Sequence, residues 1–97
     1  MKSGDASEYQ LPERLDTATV ASVFTDLMER RGQALSIDGT AVRMLGAHCA
    51  ELLLAATHTW RQDGVTLTFS GASRELLHDL DLLGLSLRDL ASPESTQ

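Results

Sequence analysis

The residues best suited to chemistry lie near the middle of the chain, in the segment AHCAELLLAATH from Ala47 to His58. His48 and Glu51 are three positions apart, so a helix would project both from one side, with His58 further along. Imidazole and carboxylate groups are ligands that zinc and other transition metals take in proteins. A third ligand at the right spacing is missing, and polar residues on an exposed helix face are the commoner arrangement. We therefore expect a solvated helix face rather than a metal site.

The lone cysteine, Cys49, follows His48 directly, which suggests a nucleophile beside a base. Adjacent residues of a helix point about 100° apart, so these two side chains would not converge. Cys49 also falls on an apolar helix face, where a thiol behaves as a small hydrophobic group. The sequence has no phosphate-binding glycine motif, no nucleophilic-serine motif and no paired catalytic carboxylates. We expect a protein that is not an enzyme and binds no cofactor.

Two elements position His48 and its neighbours, a strand and the long helix that follows it. Apolar and polar residues alternate over 34–38, as in a half-buried strand, and Asp38-Gly39 is a turn-forming pair. After a further apolar segment up to Gly46, the apolar period becomes that of a helix. One face of this central helix carries Leu45, Cys49, Leu52, Leu53, Ala56 and Trp60.

The junction between strand and helix is the Gly46-Ala47-His48 corner. The first turn of a helix has backbone N–H groups without intrahelical partners, and these can receive an acidic group or a loop of another protein. The alternative is that this segment merely connects the two elements. The pattern alone leaves both interpretations open.

The flanking segments predict four more elements. A short edge strand over 8–11 should end at Pro12, and Asp16 or Thr17 should cap the first helix. A third strand is predicted over 65–69, and Ser73 is the expected N-cap of the last helix. The first helix should bury Val20, Val23, Phe24, Leu27 and Met28 before it ends at Gly32, and the last should bury Leu76, Leu77, Leu80 and Leu83. His78, Asp79 and Asp81 should lie on the solvated outer side of the last helix.

The order strand, helix, strand, helix, strand, helix predicts a small α/β sandwich with a mixed, mostly parallel sheet and helices mainly on one face. The 97 residues suffice for one domain, which we place at 8–90 between disordered ends at 1–7 and 91–97.

The formal net charge of −6 and a pI near 4.8 argue against nucleic acid and anionic membranes as partners. Without an apolar leader or a spanning segment, the expected location is the cytoplasm.

The order and spacing of several short motifs over about 11–85 resemble the STAS domain, named for sulfate transporters and anti-sigma-factor antagonists. The motifs are Leu15-Asp16 before the first helix, Leu35-Ser36-Ile37-Asp38 with Val42 shortly after, and Gly84-Leu85 closing the last helix after Ser73. The resemblance implies the sandwich fold and a role in protein–protein contacts.

In that family the loop before the central helix often reads Asp-Ser-Ser-Gly or Asp-Thr-Gly-Gly, and a partner kinase that is also the anti-sigma factor phosphorylates the serine. Counting from Val42 places the family's aspartate at Gly46 and its phosphoacceptor at Ala47. Neither residue can serve, so no phosphorylation is expected there. Thr40 is another hydroxyl of this loop, and a solvated turn threonine is the favoured interpretation of it.

The resemblance therefore implies a non-enzymatic interaction module of bacterial signalling, like an anti-sigma-factor antagonist or a chemotaxis-associated protein, with a loop that cannot be phosphorylated. We expect it to bind an anti-sigma-factor kinase, a histidine kinase, a receptor or a scaffold. The partner-binding residues would be Asp38, Thr40, Arg43, Gly46, Ala47, His48 and Glu51. The alternative is a cytoplasmic accessory subunit of a lipid-transporting ABC complex. The sequence leaves open whether the domain forms a homodimer and whether a nucleotide or lipid binds.

Overall fold

The structure is a computed structural model that describes residues 7–91. The ends for which disorder was predicted, 1–7 and 91–97, lie outside this range except for their innermost residues. Ser7 begins the first strand, and Ala91 follows the last helical turn.

Nine elements succeed one another along the described chain. The strands are β1 (Ser7–Gln10), β2 (Arg14–Leu15), β3 (Leu35–Gly39), β4 (Met44–Leu45) and β5 (Leu67–Ala72). The helices are α1 (Val20–Met28), α2 (Ala47–Asp63), α3 (Arg74–Leu82) and a 3₁₀ helix (Leu87–Leu90). The predicted alternation of strands and helices is confirmed, and the structure adds the short strands β2 and β4.

The main sheet has three strands in the order β1-β3-β5, and both of its pairings are parallel. The pairing of β2 with β4 is parallel as well. Helices α1 and α2 make the two crossovers within the sheet. The predicted α/β fold with a mostly parallel sheet is therefore confirmed.

One face of the sheet carries the core. Leu35 and Ile37 of β3 and Leu67 of β5 are buried, whereas exposed Gln10 and Thr68 lie on the opposite, polar face. The buried core residues are Leu11, Leu15, Val23, Leu27, Leu35, Ile37, Val42, Leu45, Cys49, Ala50, Leu53, Ala56, Trp60, Leu67, Leu76, Leu80 and Leu90. The helices thus lie mainly on one face, which the alternation in the strands predicted.

Polar groups fix the far end of α2 in this core. The Nε1–H of buried Trp60 donates to the carbonyl of Gln33 at 2.8 Å. The buried Thr57 hydroxyl is 2.8 Å from the carbonyl oxygen of Leu53 and 3.0 Å from that of Leu90, so it joins α2 to the 3₁₀ helix. A buried polar group without a partner destabilises a core, and these two groups have partners.

The predicted cap of α1 is wrong. The helix begins at Val20 with Thr19 at the N-cap, two residues after the later candidate, Thr17. Asp16 instead closes a turn: its carboxylate accepts the N–H of Ala18 at 3.0 Å, and its carbonyl accepts the N–H of Val20 at 3.0 Å. A carboxylate that accepts the N–H two residues ahead forms an Asx turn, and here the helix starts only after this turn.

The cap of α3 is as predicted, and α2 ends at a glycine. The Ser73 hydroxyl accepts the N–H of Leu76 at 3.0 Å. Gly64 ends α2 in the left-handed region at φ 74°, which side chains other than glycine adopt with strain.

The predicted apolar faces of α1 and α3 are too wide. Phe24, Leu77 and Leu83 are 44%, 45% and 41% exposed, although each was assigned to a buried face. These residues lie at the edge of the apolar face of their helix, where it no longer contacts the neighbouring elements.

Candidate functional site

The end of β3 is organised by Asp38 and Thr40. One carboxylate oxygen of Asp38 accepts both the backbone N–H of Thr40 at 2.9 Å and its hydroxyl at 2.6 Å. The hydroxyl bond and then the N–H bond hold the pKa of Asp38 below its usual range, so the carboxylate is ionised at neutral pH. The Thr40 hydroxyl is therefore committed to a negatively charged neighbour.

The segment from this turn to α2 is tied to α3 by two side chains. The Ser73 hydroxyl donates to the carbonyl of Val42 at 2.6 Å. One turn and a half further along α3, the Asp79 carboxylate accepts the backbone N–H of Leu45 at 2.9 Å. The residue just before the N-cap of α2 is thus held by the side chain of another helix.

Asp79 was predicted to face solvent with His78 and Asp81, and for Asp79 this is wrong. Its carboxylate turns toward β4, against which α3 packs, and accepts the Leu45 N–H there. His78 and Asp81 are exposed as predicted, and the His78 Nδ1 lies 3.5 Å from Asp79 Oδ1. The sequence carried no signal for this contact, since the two residues are 34 positions apart.

The corner itself is the first turn of α2. Gly46 is the N-cap and has no side chain to accept the first N–H groups, while its own N–H donates to the carbonyl of Leu15 at 2.8 Å. Ala47 and His48 are exposed, as is Glu51 one turn on. This turn presents a small side chain and an imidazole to solvent, and its first N–H groups have no intrahelical partners.

Cys49 is buried beneath this turn. Its thiol is 3.4 Å from the carbonyl oxygen of Asp16, and burial, with the nearby Asp16 charge, raises the pKa of the thiol. The exposed His48 and the buried Cys49 point apart. In residues 7–91 no three histidine, cysteine or acidic side chains gather as a metal site would require, so His48 and Glu51 share no third ligand.

Two grooves flank the corner. An apolar groove of about 220 Å³ runs between α2 and the end of α3, lined by Ala47, Ala50, Glu51, Leu54, Leu83 and Leu85. A charged groove of about 310 Å³ lies beside α3, lined by Arg43, Arg74, Glu75, His78 and Asp79. We call Ala47, His48, Glu51 and the lining of the apolar groove the α2 surface.

The structure thus divides the predicted partner-binding residues into three groups. Ala47 and Glu51 line one groove, with Gly46 and His48 beside them in the same helical turn. Arg43 lines the charged groove against α3. Asp38 and Thr40 bond to each other at the end of β3. Leu83, which also lines the α2 surface, was missed because its sequence pattern assigned it to the core.

The comparison with known families decides what kind of domain carries this site. Residues 2–90 match the family model described as the STAS domain. The chain belongs to the STAS domain family. No curated protein and no solved structure matches it.

STAS domains generally mediate protein–protein interactions. Its helices within 7–91 include none that is both long and apolar enough to cross a bilayer.

Proposed function

We propose that this STAS domain is a non-enzymatic interaction module of bacterial signalling that binds a protein partner through the α2 surface without a phosphorylation switch. The observation that carries the proposal is the first turn of α2, where exposed Ala47 stands at the position that the family resemblance gives to a phosphoacceptor. The turn keeps an exposed helix end for contact, and it has no hydroxyl at that position.

The apolar groove supports a contact role for this surface. Leu83 in its lining is 41% exposed and Leu82 beside it is 71% exposed, while Glu51 is the one charged residue among residues 7–91 that lines it. Apolar area rimmed by polar groups is typical of surfaces that bind other proteins. A net charge of −6 steers the domain toward a partner whose surface is basic.

The state of Thr40 supports the absence of a switch. A phosphate on its hydroxyl would add about −1.5 to −2 charges next to the Asp38 carboxylate, which the hydroxyl now contacts at 2.6 Å. The added charge would lose that hydrogen bond and gain repulsion. Regulation of this module lies in its partner or in its expression.

The module acts in the cytoplasm on an anti-sigma-factor kinase, a histidine kinase, a receptor or a scaffold in sigma-factor or chemotaxis control. We propose that it is not an enzyme. The separation of His48, which is in solvent, from Cys49, which is buried with its thiol directed at a carbonyl, supports this. The two groups cannot act on one substrate atom.

The test is a pull-down from native cell extract with mass spectrometry, comparing the wild type with Ala47→Glu. The new carboxylate stands in the first helical turn, where negative charge is compatible with folding, and it introduces charge at the proposed contact. Ala55→Glu is the matched control, because Ala55 is an exposed alanine of the same helix about 12 Å further along.

We expect soluble kinases, receptors or scaffolds to be recovered with the wild type and with Ala55→Glu, and to be lost with Ala47→Glu. Partners that remain bound to Ala47→Glu would show that the binding surface lies elsewhere. Recovery of a permease and an ATPase instead would assign the domain to a transport complex and refute the signalling role.

A further inference from the structure

The two edges of the main sheet differ in how well they are protected against pairing. Edge strands expose unpaired N–H and C=O groups, and natural proteins shield them with charge, proline or shortness. The β1 edge has four residues, includes Glu8 and is soon followed by Pro12. The β5 edge has six residues, and the whole segment 64–73 contains neither a charged residue nor a proline. The β5 strand itself therefore carries none of these protections.

The register shows which groups of β5 point outward. The N–H of Leu35 donates to the carbonyl of Thr66 at 3.0 Å, and Leu35 is paired with Leu67. In a parallel ladder alternate residues of a strand bond to a given neighbour, so the N–H and C=O groups of Leu67 and Phe69 point away from β3. Within residues 7–91 no backbone group accepts from or donates to this side of β5.

A groove of about 270 Å³ lies beside this edge. It is lined by Thr68, Phe69, Leu87, Arg88 and Ala91, so β5 forms one wall and the 3₁₀ helix the other. Phe69 is only half-buried there. A strand added to β5 would place its inward-facing side chains at this groove, on the core side of the sheet.

We propose that the occupant is a second copy of this chain, whose β5 pairs antiparallel with the first across a two-fold axis. Antiparallel pairing of one edge with itself forms a closed, isologous interface that leaves neither β5 edge open. Because the strand is uncharged, β5 of one copy meets β5 of the other without like charges, although Arg88 lines the groove and each chain carries −6 overall. Each Phe69 packs toward the groove of the other copy, and Thr68 and Ser70 form cross-strand polar pairs on the open face.

The test is sedimentation velocity of the full chain over a wide concentration range, with Thr68→Lys as the disrupting variant. Thr68 is exposed on the polar face, so the lysine fits the monomer, but the two-fold pairing would place the two new charges diagonally across the seam, about 7 to 8 Å apart. Gln10→Lys is the matched control, because it places the same charge on the exposed face of the opposite edge strand. We expect the dimer dissociation constant to rise at least about tenfold for Thr68→Lys and to stay unchanged for Gln10→Lys.

Hydrogen exchange of the wild type gives a readout that does not depend on any variant folding. The proposal requires the amides of Leu67 and Phe69 to exchange more slowly as the protein concentration rises. A monomer at all concentrations, or a dimer whose Leu67 and Phe69 amides exchange at the same rate as in the monomer, would overturn it. Protection of these amides only after another protein is added would assign the edge to a foreign strand and would equally overturn it.

Discussion

Asp79 shows how one side chain of α3 determines where another helix begins. Its carboxylate accepts the N–H of Leu45 at 2.9 Å, and Leu45 is followed directly by the N-cap Gly46. Asp79 is partly buried, so water replaces its hydrogen bond incompletely when the side chain is removed. The α2 surface is thus positioned by a residue that does not belong to it.

We expect Asp79→Ala to lower the free energy of unfolding by about 1 to 2 kcal/mol, because the Leu45 N–H loses its acceptor in a partly buried site. Asp79→Asn keeps an acceptor oxygen and should lose less. Asp81→Ala removes the same charge from an exposed position of the same helix and serves as the control. Urea denaturation measures all three, and equal stabilities for Asp79→Ala and Asp81→Ala would show that the hydrogen bond does not stabilise the fold.

At the scale of elements, the end of β3 passes close to both β5 and α3. A Cβ atom at Gly39 would lie 2.8 Å from Cδ2 of Leu76 and 3.2 Å from the carbonyl oxygen of Gly71. The carbonyl of Gly39 also accepts the N–H of Ser73 at 3.0 Å, which fixes the start of α3. The absence of a side chain at Gly39 is therefore what allows three elements to meet.

Gly39→Ala should lower the free energy of unfolding by about 1 to 3 kcal/mol. The added methyl group would push both buried Leu76 and the backbone of β5 away from β3. The control is Gly46→Ala, whose Cβ would meet only the carbonyl oxygen of Leu15, at 3.4 Å. Urea denaturation should show a clearly smaller loss for the control. If Gly39→Ala is as stable as the wild type, the close approach of α3 to β3 is incorrect.

The sequence could predict the strands and helices, which follow local patterns, but not the contacts between residues that are far apart in the chain. The alternation in 34–38 and the helical period from Leu45 reflect local rules, so the order of strands and helices followed from them. The ladder of β2 with β4 and the bond from Asp79 join residues about 30 positions apart, and no local pattern encodes such pairs. The exposed Leu83 was wrongly assigned to the core because its burial depends on how far α3 lies from α2, which a local pattern does not encode either.

For the whole molecule, stability at neutral pH rests on the apolar core rather than on charge. The ion pairs Arg14–Asp16 and Arg31–Asp63 join side chains with substantial solvent exposure, and such pairs contribute little. The net charge of −6 adds modest self-repulsion. Any strong dependence of stability on pH must therefore come from groups that are partly removed from water.

Tyr9 is the clearest such group. It lies half-buried on β1, its hydroxyl donates to the Asp26 carboxylate of α1 at 2.9 Å, and the guanidinium of Arg30 lies 4.9 Å from its ring centre. Burial, followed by the bond to Asp26 and its charge, raises the pKa of Tyr9 well above the usual value near 10, an effect that Arg30 only partly offsets. The hydroxyl thus joins the sheet to α1 only while it is protonated.

Stability should therefore fall as the pH rises above about 10, because tyrosine in the unfolded chain then ionises while folded Tyr9 keeps its proton. Below that pH both states are protonated and the contribution of Tyr9 is constant. Urea denaturation across this range should show a steeper loss for the wild type than for Tyr9→Phe. Both proteins keep Cys49, whose raised pKa acts in the same direction, so their difference isolates the tyrosine.

Tyr9 is the sole tyrosine of the chain, so the ultraviolet absorbance of tyrosinate reports its ionisation directly. Ionisation near pH 10 in the folded protein would contradict the buried contact with Asp26.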